Sequence, residues 1–306
     1  MNSDAAPPHT SFTRQRGFIL VTVLWLVALF AVAVAVFSRA VTSEIRVTAN
    51  VAGAAAAEAL ADAGASLAIL DLVREFNERT APRYPRNGGA GPVCSLEGGL
   101  VRVSIQDAAG RIDLNRASAG LLAALFAGHG LEATTARQLA ARTIDYRDRD
   151  DVPLEDGAER EDYAAAGVPT PPRNAPFDTV EELGRVLGLP LWLIGRLAQD
   201  VTLASGQTGI DPAVTNRALL TRLAAGTGQL GLGTAAFGEL PAEFVIRSPR
   251  RSFVVMATGE TADGSRFVRE VVVEVGQRRG RGYVLKAWRR GGEAVPIAQV
   301  APAAPC

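Results

Sequence analysis

The fold is decided by residues 18–37, which read FILVTVLWLVALFAVAVAVF. Every residue of this stretch except Thr22 is apolar, so a helix formed here has no polar face. A helix of about 20 residues spans about 30 Å, the hydrocarbon thickness of a bilayer. The stretch therefore predicts a single membrane-spanning helix, with the bulk of the chain on one side of the membrane.

Two arginines, Arg14 and Arg16, stand directly before this stretch. Positive charge on a short flank stays in the cytoplasm, which predicts a cytoplasmic N-terminus and a periplasmic or exterior bulk. A cleaved secretory signal is the competing interpretation. Signal cores are typically 7–15 residues with a small-residue cleavage site behind them. Here the run is longer and its alternating alanines lie inside it, which favours a retained anchor.

The overall composition excludes some classes of function. The chain has 306 residues, enough for the span plus one large or two ordinary domains, and a formal net charge of zero gives no global signal for nucleic acid. Residues 107–205 carry 10 Arg against 16 Asp and Glu, a net of −6, whereas residues 206–306 carry 13 Lys and Arg against 8 acidic residues, a net of +5. Two cysteines, Cys94 and Cys306, are too few for a zinc cluster. In an oxidising periplasm they could form a disulfide, and a free thiol at Cys306 is the alternative.

The order of secondary structure along the chain predicts an α+β fold. Ala-rich residues 38–78 extend the first helix, and Pro- and Gly-rich residues 79–99 predict a loop. Residues 100–106 alternate as a strand, for which residues 111–114 are the predicted partner, and alternating strands return from Phe244 onward. Several helices lie between them. The pattern predicts a long membrane-spanning helix packed on an antiparallel sheet, with a large all-α domain inserted.

Six segments follow from this order. They are a leader at 1–17, the span at 18–37, a helix, loop and strand at 38–106, the inserted helical domain at 107–205, a helix and strands at 206–290, and a flexible tail at 291–306. The helix in the fifth segment repeats an earlier one. At an offset of 98 positions the chain matches itself at seven positions, which are Ile112/Ile210, Asp113/Asp211, Leu121/Leu219, Leu122/Leu220, Leu125/Leu223, Ala127/Ala225 and Gly128/Gly226.

An acidic loop is the richest candidate site. Nine carboxylates stand within residues 145–162, namely Asp145, Asp148, Asp150, Asp151, Glu155, Asp156, Glu159, Glu161 and Asp162. Carboxylates on an irregular loop can supply the six to eight oxygens that Ca²⁺ takes, although the spacing is not that of an EF-hand. A solvated acidic loop balanced by Arg147, Arg149 and Arg160 is the other interpretation, and the sequence leaves both open.

The sequence gives weaker signals for two other classes of function, an enzyme and a DNA receptor. The sequence has only two histidines, and it has no nucleophile elbow, phosphate loop or zinc-binding histidine pair. An enzyme is therefore not predicted. A membrane-anchored hydrolase would need a nucleophile or base near the acidic loop.

Residues 112–118 followed by Gly128-His129-Gly130 are similar to a helix-hairpin-helix module, which binds DNA through backbone N–H groups. The alternative function is therefore a membrane-tethered DNA receptor of a competence or type IV pilus-like system. The net charge of −6 opposes it.

The junction Arg16-Gly17-Phe18 resembles the prepilin signal of type IV pilins and type II secretion pseudopilins, although Thr22 stands where most of these proteins have Glu. Further matching motifs follow along the chain. They are Gly110-Arg-Ile-Asp-Leu-Asn115, residues 144–150, Gly157-Ala-Glu159, Asp162-Tyr163, Asn174-Ala-Pro-Phe177 and Glu181-Glu-Leu183. Together these motifs resemble the minor pseudopilin K family of type II secretion, also called general secretion pathway protein K.

This resemblance implies most of the expected biology. A prepilin peptidase would cleave between Gly17 and Phe18, with methylation of the new N-terminus. The mature protein would be a single-pass inner-membrane protein with a periplasmic bulk, placed at the pseudopilus tip beside I- and J-type minor pseudopilins. It would help initiate assembly and support export, without binding nucleic acid. The family binds calcium in the acidic loop, which points to Asp148, Asp150, Glu159 and Asp162 as ligands.

Overall fold

The computed structural model describes residues 16–232, 240–278 and 281–292, together with Ile297 and Cys306. The predicted leader up to residue 15, and tail residues 293–296 and 298–305, lie outside this part of the chain. The chain divides into two compact units, Met1–Gly53 and Ala54–Cys306.

The first helix, α1, runs over Arg16–Glu78. Its segment Ile19–Ser38 is long and apolar enough to cross a membrane, and its side chains are exposed. Thr22, the polar residue of the stretch 18–37, donates from Oγ1 to the carbonyl oxygen of Ile19 at 2.9 Å. Because this bond stays within the helix, Thr22 adds little cost to burial in lipid. The segment fits a single-pass membrane anchor.

The second unit contains the remaining elements. The strands are β1 (Asn87–Leu96), β2 (Gly99–Asp107), β3 (Ile112–Asp113), β4 (Val201–Thr202), β5 (Ser252–Thr261), β6 (Arg266–Arg278) and β7 (Arg281–Arg290). The helices are α2 (Ala119–Gly128), α3 (Ala133–Arg147), α4 (Arg160–Ala165), α5 (Leu191–Leu197) and α6 (Arg217–Gln229). Three 3₁₀ segments lie at Ala108–Gly110, Val180–Arg185 and Ala242–Phe244.

An antiparallel sheet of five strands has the order β1-β2-β5-β6-β7. From Ala54 onward α1 packs on one face of it, where a helix stripe including Leu60, Ile69 and Leu72 meets strand valines such as Val103 and Val255. The close approach needs Gly259, because a Cβ there would overlap the carbonyl oxygen of Ala57. The guanidinium of Arg269 on β6 pairs with both Glu58 and Asp62 of α1.

All the helices after α1 lie between β2 and β5. Asp107, the last residue of β2, is the register partner of Phe253 on β5, so residues 108–251 leave and rejoin the sheet at the same end. They form a second hydrophobic core, in which α2 is buried from Leu121 to Ala127. The predicted α+β fold with an inserted helical region is confirmed.

The two copies of the internal repeat form equivalent elements that pack on each other. Ser118 caps α2 by accepting from the Leu121 N–H, and Asn216 caps α6 by accepting from the Leu219 N–H. The contacts between the C-terminal parts of the two helices are reciprocal. The residues in one contact are related to those in the other by the offset of 98 positions. A Cβ at Gly128 would overlap the carbonyl oxygen of Arg222, and a Cβ at Gly226 would overlap that of Ala124. The copies are therefore related by a local pseudo-twofold axis between α2 and α6.

Several sequence-based expectations for individual elements were wrong. Residues 79–99 were expected to be a loop but contain β1, whose Gly-rich start has two register shifts that hide the strand pattern. Ile112–Asp113 does not return beside β2; it pairs in parallel with β4. Phe244 ends a 3₁₀ turn, and Val245 makes only an isolated parallel bridge with Ile210. For Ile112–Asp113 and for Val245 the pairing partner is distant in sequence, so local alternation is misleading there.

Candidate metal centre

A buried carboxylate at the end of α3 shapes the acidic loop. Asp145 accepts hydrogen bonds from the Ala158 N–H at 2.8 Å and from the Leu154 N–H at 3.3 Å. These bonds bring the end of the loop back to α3. Gly157 is required at this point, because a Cβ there would overlap the carboxylate of Asp145. The loop is thereby closed into a defined shape between α3 and α4.

Three of the predicted ligands come together in this closed loop. Asp148, Asp150 and Glu159 each offer a carboxylate oxygen within 4.8 Å of the others. Glu159 is only 3% exposed. Both of its carboxylate oxygens, and Oδ1 of Asp148, have no hydrogen-bond partner in the described part of the chain. Buried carboxylate oxygens without donors are costly unless a cation or proton meets them, so this donor set fits a hard cation such as Ca²⁺.

The electrostatics of the cluster support the same interpretation. Burial, followed by the charges of Asp145 and Asp148, raises the pKa of Glu159 to about 7. Burial and the charges of Asp150 and Asp145 also raise the pKa of Asp148. A bound divalent cation would reverse these shifts by favouring the ionised carboxylates.

The fourth predicted ligand has a different role. Asp162 accepts the N–H of Glu159 through Oδ2 at 2.9 Å, and so it caps the start of α4. The structure does not group it with the other three carboxylates. It stands three residues after the N-cap Glu159, the position from which a capping-box side chain reaches back to the N-cap N–H.

Asn174 is a candidate residue that the sequence interpretation did not single out as a ligand. Its side-chain nitrogen donates to the backbone oxygen of Asp150 at 2.7 Å and to Oδ1 of Asp151 at 2.9 Å. Its own Oδ1 is buried and has no partner among the described residues. The backbone of Asn174 is left-handed, with φ of 49°, which suits Asn. An amide oxygen is a ligand type that Ca²⁺ accepts, and the motif Asn174–Phe177 was the available signal.

The other motif residues hold the loop in place. The side chain of Asn115 accepts from the Phe177 N–H at 2.7 Å and donates to its carbonyl oxygen at 3.0 Å. Tyr146 stacks on Phe177 with ring centroids 4.9 Å apart. Arg147 donates to the carbonyl oxygens of Leu114 and Ala117. Burial lowers the pKa of Arg147 to about 10, so its charge is retained at neutral pH.

The remaining predicted sites lie elsewhere in the chain. Gly17 and Phe18 lie in the first turn of α1. Cys94 on β1 is joined to Cys306, with Cα atoms 4.9 Å apart, and the Cys306 N–H donates to the Ser95 carbonyl oxygen at 3.2 Å. Both cysteines therefore lie at the β1 edge of the sheet.

The hairpin that is similar to a DNA-binding module uses its own donors. The N–H groups of His129, Gly130 and Leu131 donate to carbonyl oxygens at the end of α2. The His129 ring pairs with Asp200, with Nε2 and Oδ2 2.8 Å apart. These three N–H groups are thus satisfied within the hairpin and are not presented to a phosphate, which weighs against the DNA-receptor alternative.

Comparison with known proteins agrees with the motifs. Residues 100–206 match the family model described as type II secretion system (T2SS), protein K. The chain resembles type II secretion protein K. The matched region runs from β2 to just after β4 and contains the whole acidic loop. The resemblance predicted from the sequence motifs is confirmed.

A solved structure shares the fold. It is a chain from the crystal structure of the GspK–GspI–GspJ complex of the enterotoxigenic Escherichia coli type 2 secretion system, with a TM-score of 0.51 and 18% identity. The alignment covers 83% of this chain and 99% of that one. No curated protein sequence matches the chain.

Proposed function

We propose that this chain is the K-type minor pseudopilin of a type II secretion system. In this proposal it is a structural subunit at the pseudopilus tip, not an enzyme, and it helps initiate assembly and supports protein export across the outer membrane. The observation that carries the proposal is the match of residues 100–206 to the protein K family. The apolar segment Ile19–Ser38 supports the same assignment, because pseudopilins are anchored in the inner membrane by such a helix.

The fold supports a place at the tip. Residues 108–251 leave and rejoin the sheet at one end and form a core of their own. A bulky domain at one end of a subunit leaves no room for another subunit to stack there. Thr22 supports the same position, because a subunit with nothing above it needs no carboxylate to meet the free amine of a neighbour.

The proposed partners follow from the family and from the matched complex. The structure with the same fold was solved with GspI and GspJ, so I- and J-type minor pseudopilins are the proposed neighbours of this chain. A prepilin peptidase is the proposed processing partner, acting between Gly17 and Phe18. The mature N-terminus would then begin at Phe18 in the inner membrane, with residues from about 39 onward in the periplasm.

Deletion and complementation test the function. We expect that deleting the gene leaves a type II secretion substrate in the periplasm, and that the wild-type gene restores its appearance in the medium. Export of a protein that only needs to reach the periplasm is the control and should not change. Secretion that continues undiminished after deletion would contradict the proposal. Mass spectrometry of the purified chain, with and without the peptidase, tests cleavage after Gly17.

We also propose that Asp148, Asp150 and Glu159 bind Ca²⁺. A cation that binds only the folded state raises stability with its concentration. Thermal unfolding of the full chain in detergent should therefore shift upward in calcium relative to chelator, and Asp150→Ala or Glu159→Gln should remove the shift. Glu155→Gln, an exposed acidic residue of the same loop, is the matched control and should keep it. An unchanged melting curve in the wild type would reject calcium binding.

A further inference from the structure

Two large apolar side chains project from α5. Leu193 and Leu197 are fully buried and fix this helix on the helical core. Leu191 is 75% exposed and Trp192 is 52% exposed, and Leu191 is more exposed than any other large apolar side chain in the described chain. Adjacent exposed apolar residues on a folded domain are a feature of interaction sites.

Arg196 extends this apolar pair into a polar surface. Its guanidinium carbon lies 4.9 Å from the centre of the Trp192 ring. It makes no ion pair with a carboxylate of the described chain. Arg196 also lines a cavity of about 450 Å³, together with Gly128, His129, Gly195, Gln199 and Arg222. The stacked arginine therefore joins the apolar pair to the cavity.

The cavity favours an anion. No carboxylate belongs to its described lining. The nearest acidic group that acts on the lining is Asp200, which is 1% exposed. Its carboxylate accepts from Nη1 of Arg222 at 2.7 Å and is 2.8 Å from Nε2 of His129. Asp200 thus orients Arg222 and His129 from the buried side of the cavity. The charges exposed at the surface are those of Arg196 and Arg222.

We propose that Leu191, Trp192, Arg196 and this cavity form a docking surface for a segment of another protein that carries an apolar side chain beside carboxylates. The apolar side chain would pack on Leu191 and Trp192, and the carboxylates would reach Arg196 and Arg222. Trp and Arg are the residue types that most often dominate protein interfaces. A nucleic acid is a poor fit, because the N–H groups of the hairpin at residues 129–131, which borders the cavity, are satisfied within the hairpin. This inference does not depend on the proposed secretion role.

Peptide binding to the full chain tests the proposal. The probes are fluorescein-labelled peptides, each with one Phe or Leu placed one to four positions from two Glu residues, titrated against the chain in detergent micelles. We expect a saturable rise in fluorescence anisotropy. Trp192→Ala and Arg196→Gln should each weaken it by about tenfold or more, as expected for hot-spot residues. Trp288→Ala, which removes an exposed tryptophan on β7, is the matched control and should bind like the wild type.

Three results would overturn the proposal. In the first, no peptide of the panel binds saturably. In the second, peptides with Lys in place of Glu bind as tightly, so that charge is not recognised. In the third, Trp192→Ala and Arg196→Gln bind like the wild type while circular dichroism shows all variants folded. Vesicles of phosphatidylglycerol serve as a further probe. Arg196-dependent binding to these vesicles without peptide binding would assign the surface to lipid headgroups instead.

Discussion

At the scale of single residues, the buried carboxyl of Glu159 should make the stability of the ion-free chain depend on pH. Its pKa is raised from the ordinary 4.5 to about 7, so between these values the folded state keeps a proton that the unfolded chain has released. The free energy of unfolding should therefore fall as pH rises from about 4.5 to about 7. Denaturant unfolding in chelator across this range measures the slope.

Glu159→Gln isolates the contribution of this group, because Gln is similar in shape but does not titrate. The slope of stability against pH should become shallower in this variant. Burial also raises the pKa of Asp145 and Asp148, so part of the slope should remain. An identical slope in wild type and Glu159→Gln would show that Glu159 is not protonated in the folded state.

The role of Asp162 gives a second prediction at this scale. Because its carboxylate caps α4, Asp162→Ala should lower the free energy of unfolding by about 1 kcal/mol, the usual value of a helix cap. The loss should be equal in calcium and in chelator, as measured by denaturant unfolding. A loss that appears only in calcium would instead make Asp162 a ligand.

The site was predicted from sequence only in part. A density of carboxylates is visible in a sequence, but the set Asp148, Asp150, Glu159 and Asp162 came from the family resemblance, and the structure groups the first three. The direction of each side chain on an irregular loop is set by distant contacts such as that between Asn174 and Asp150, so spacing alone cannot rank the ligands.

At the scale of elements, the packing of α2 against α6 depends on the glycine at the end of each. Gly226→Ala would place a methyl group on the Ala124 carbonyl oxygen and force the helices apart. Overpacking of this kind costs about 1–3 kcal/mol. Gly228→Ala in the same helix is the control, since its Cβ meets nothing within 4 Å. Removing a helical glycine there should stabilise by about 0.5–1 kcal/mol. Equal effects of the two substitutions on denaturant unfolding would refute the close packing.

Element prediction succeeded where the signal is local and failed where it is not. The strand predicted at residues 100–106 depends on alternation between neighbouring residues, and the structure has it as β2. The pairing of Ile112 with Val201 joins segments that lie far apart along the chain, and no local pattern selects it. The edge strand β1 has glycines at positions where apolar and polar residues would otherwise alternate. Its composition therefore indicated a loop. The repeat was detectable because it was found by comparing the chain with itself at a fixed offset, which relates segments that are far apart in sequence.

At the scale of the whole molecule, the bond between Cys94 and Cys306 ties the last residue of the chain to β1. It closes a loop with a sequence separation of 212 residues, which contains strands β2 to β7 and all the helices after α1. A cross-link that spans most of a folded unit acts mainly by restricting the unfolded chain, so its contribution should not depend on the acidic loop or on the repeat.

Removing this cross-link should destabilise the second unit without changing its fold. Replacement of both cysteines by serine should lower the free energy of unfolding by about 2–5 kcal/mol, the range for native disulfides. Denaturant unfolding of the full chain measures this loss, and reductant should produce a similar loss in the wild type. The double variant is its own control, because reductant should not change it further. If periplasmic protein reacts fully with a maleimide before reduction, both thiols are free in the cell. The contact of Cys306 with β1 would then contribute to stability only through its hydrogen bond to Ser95 and its packing.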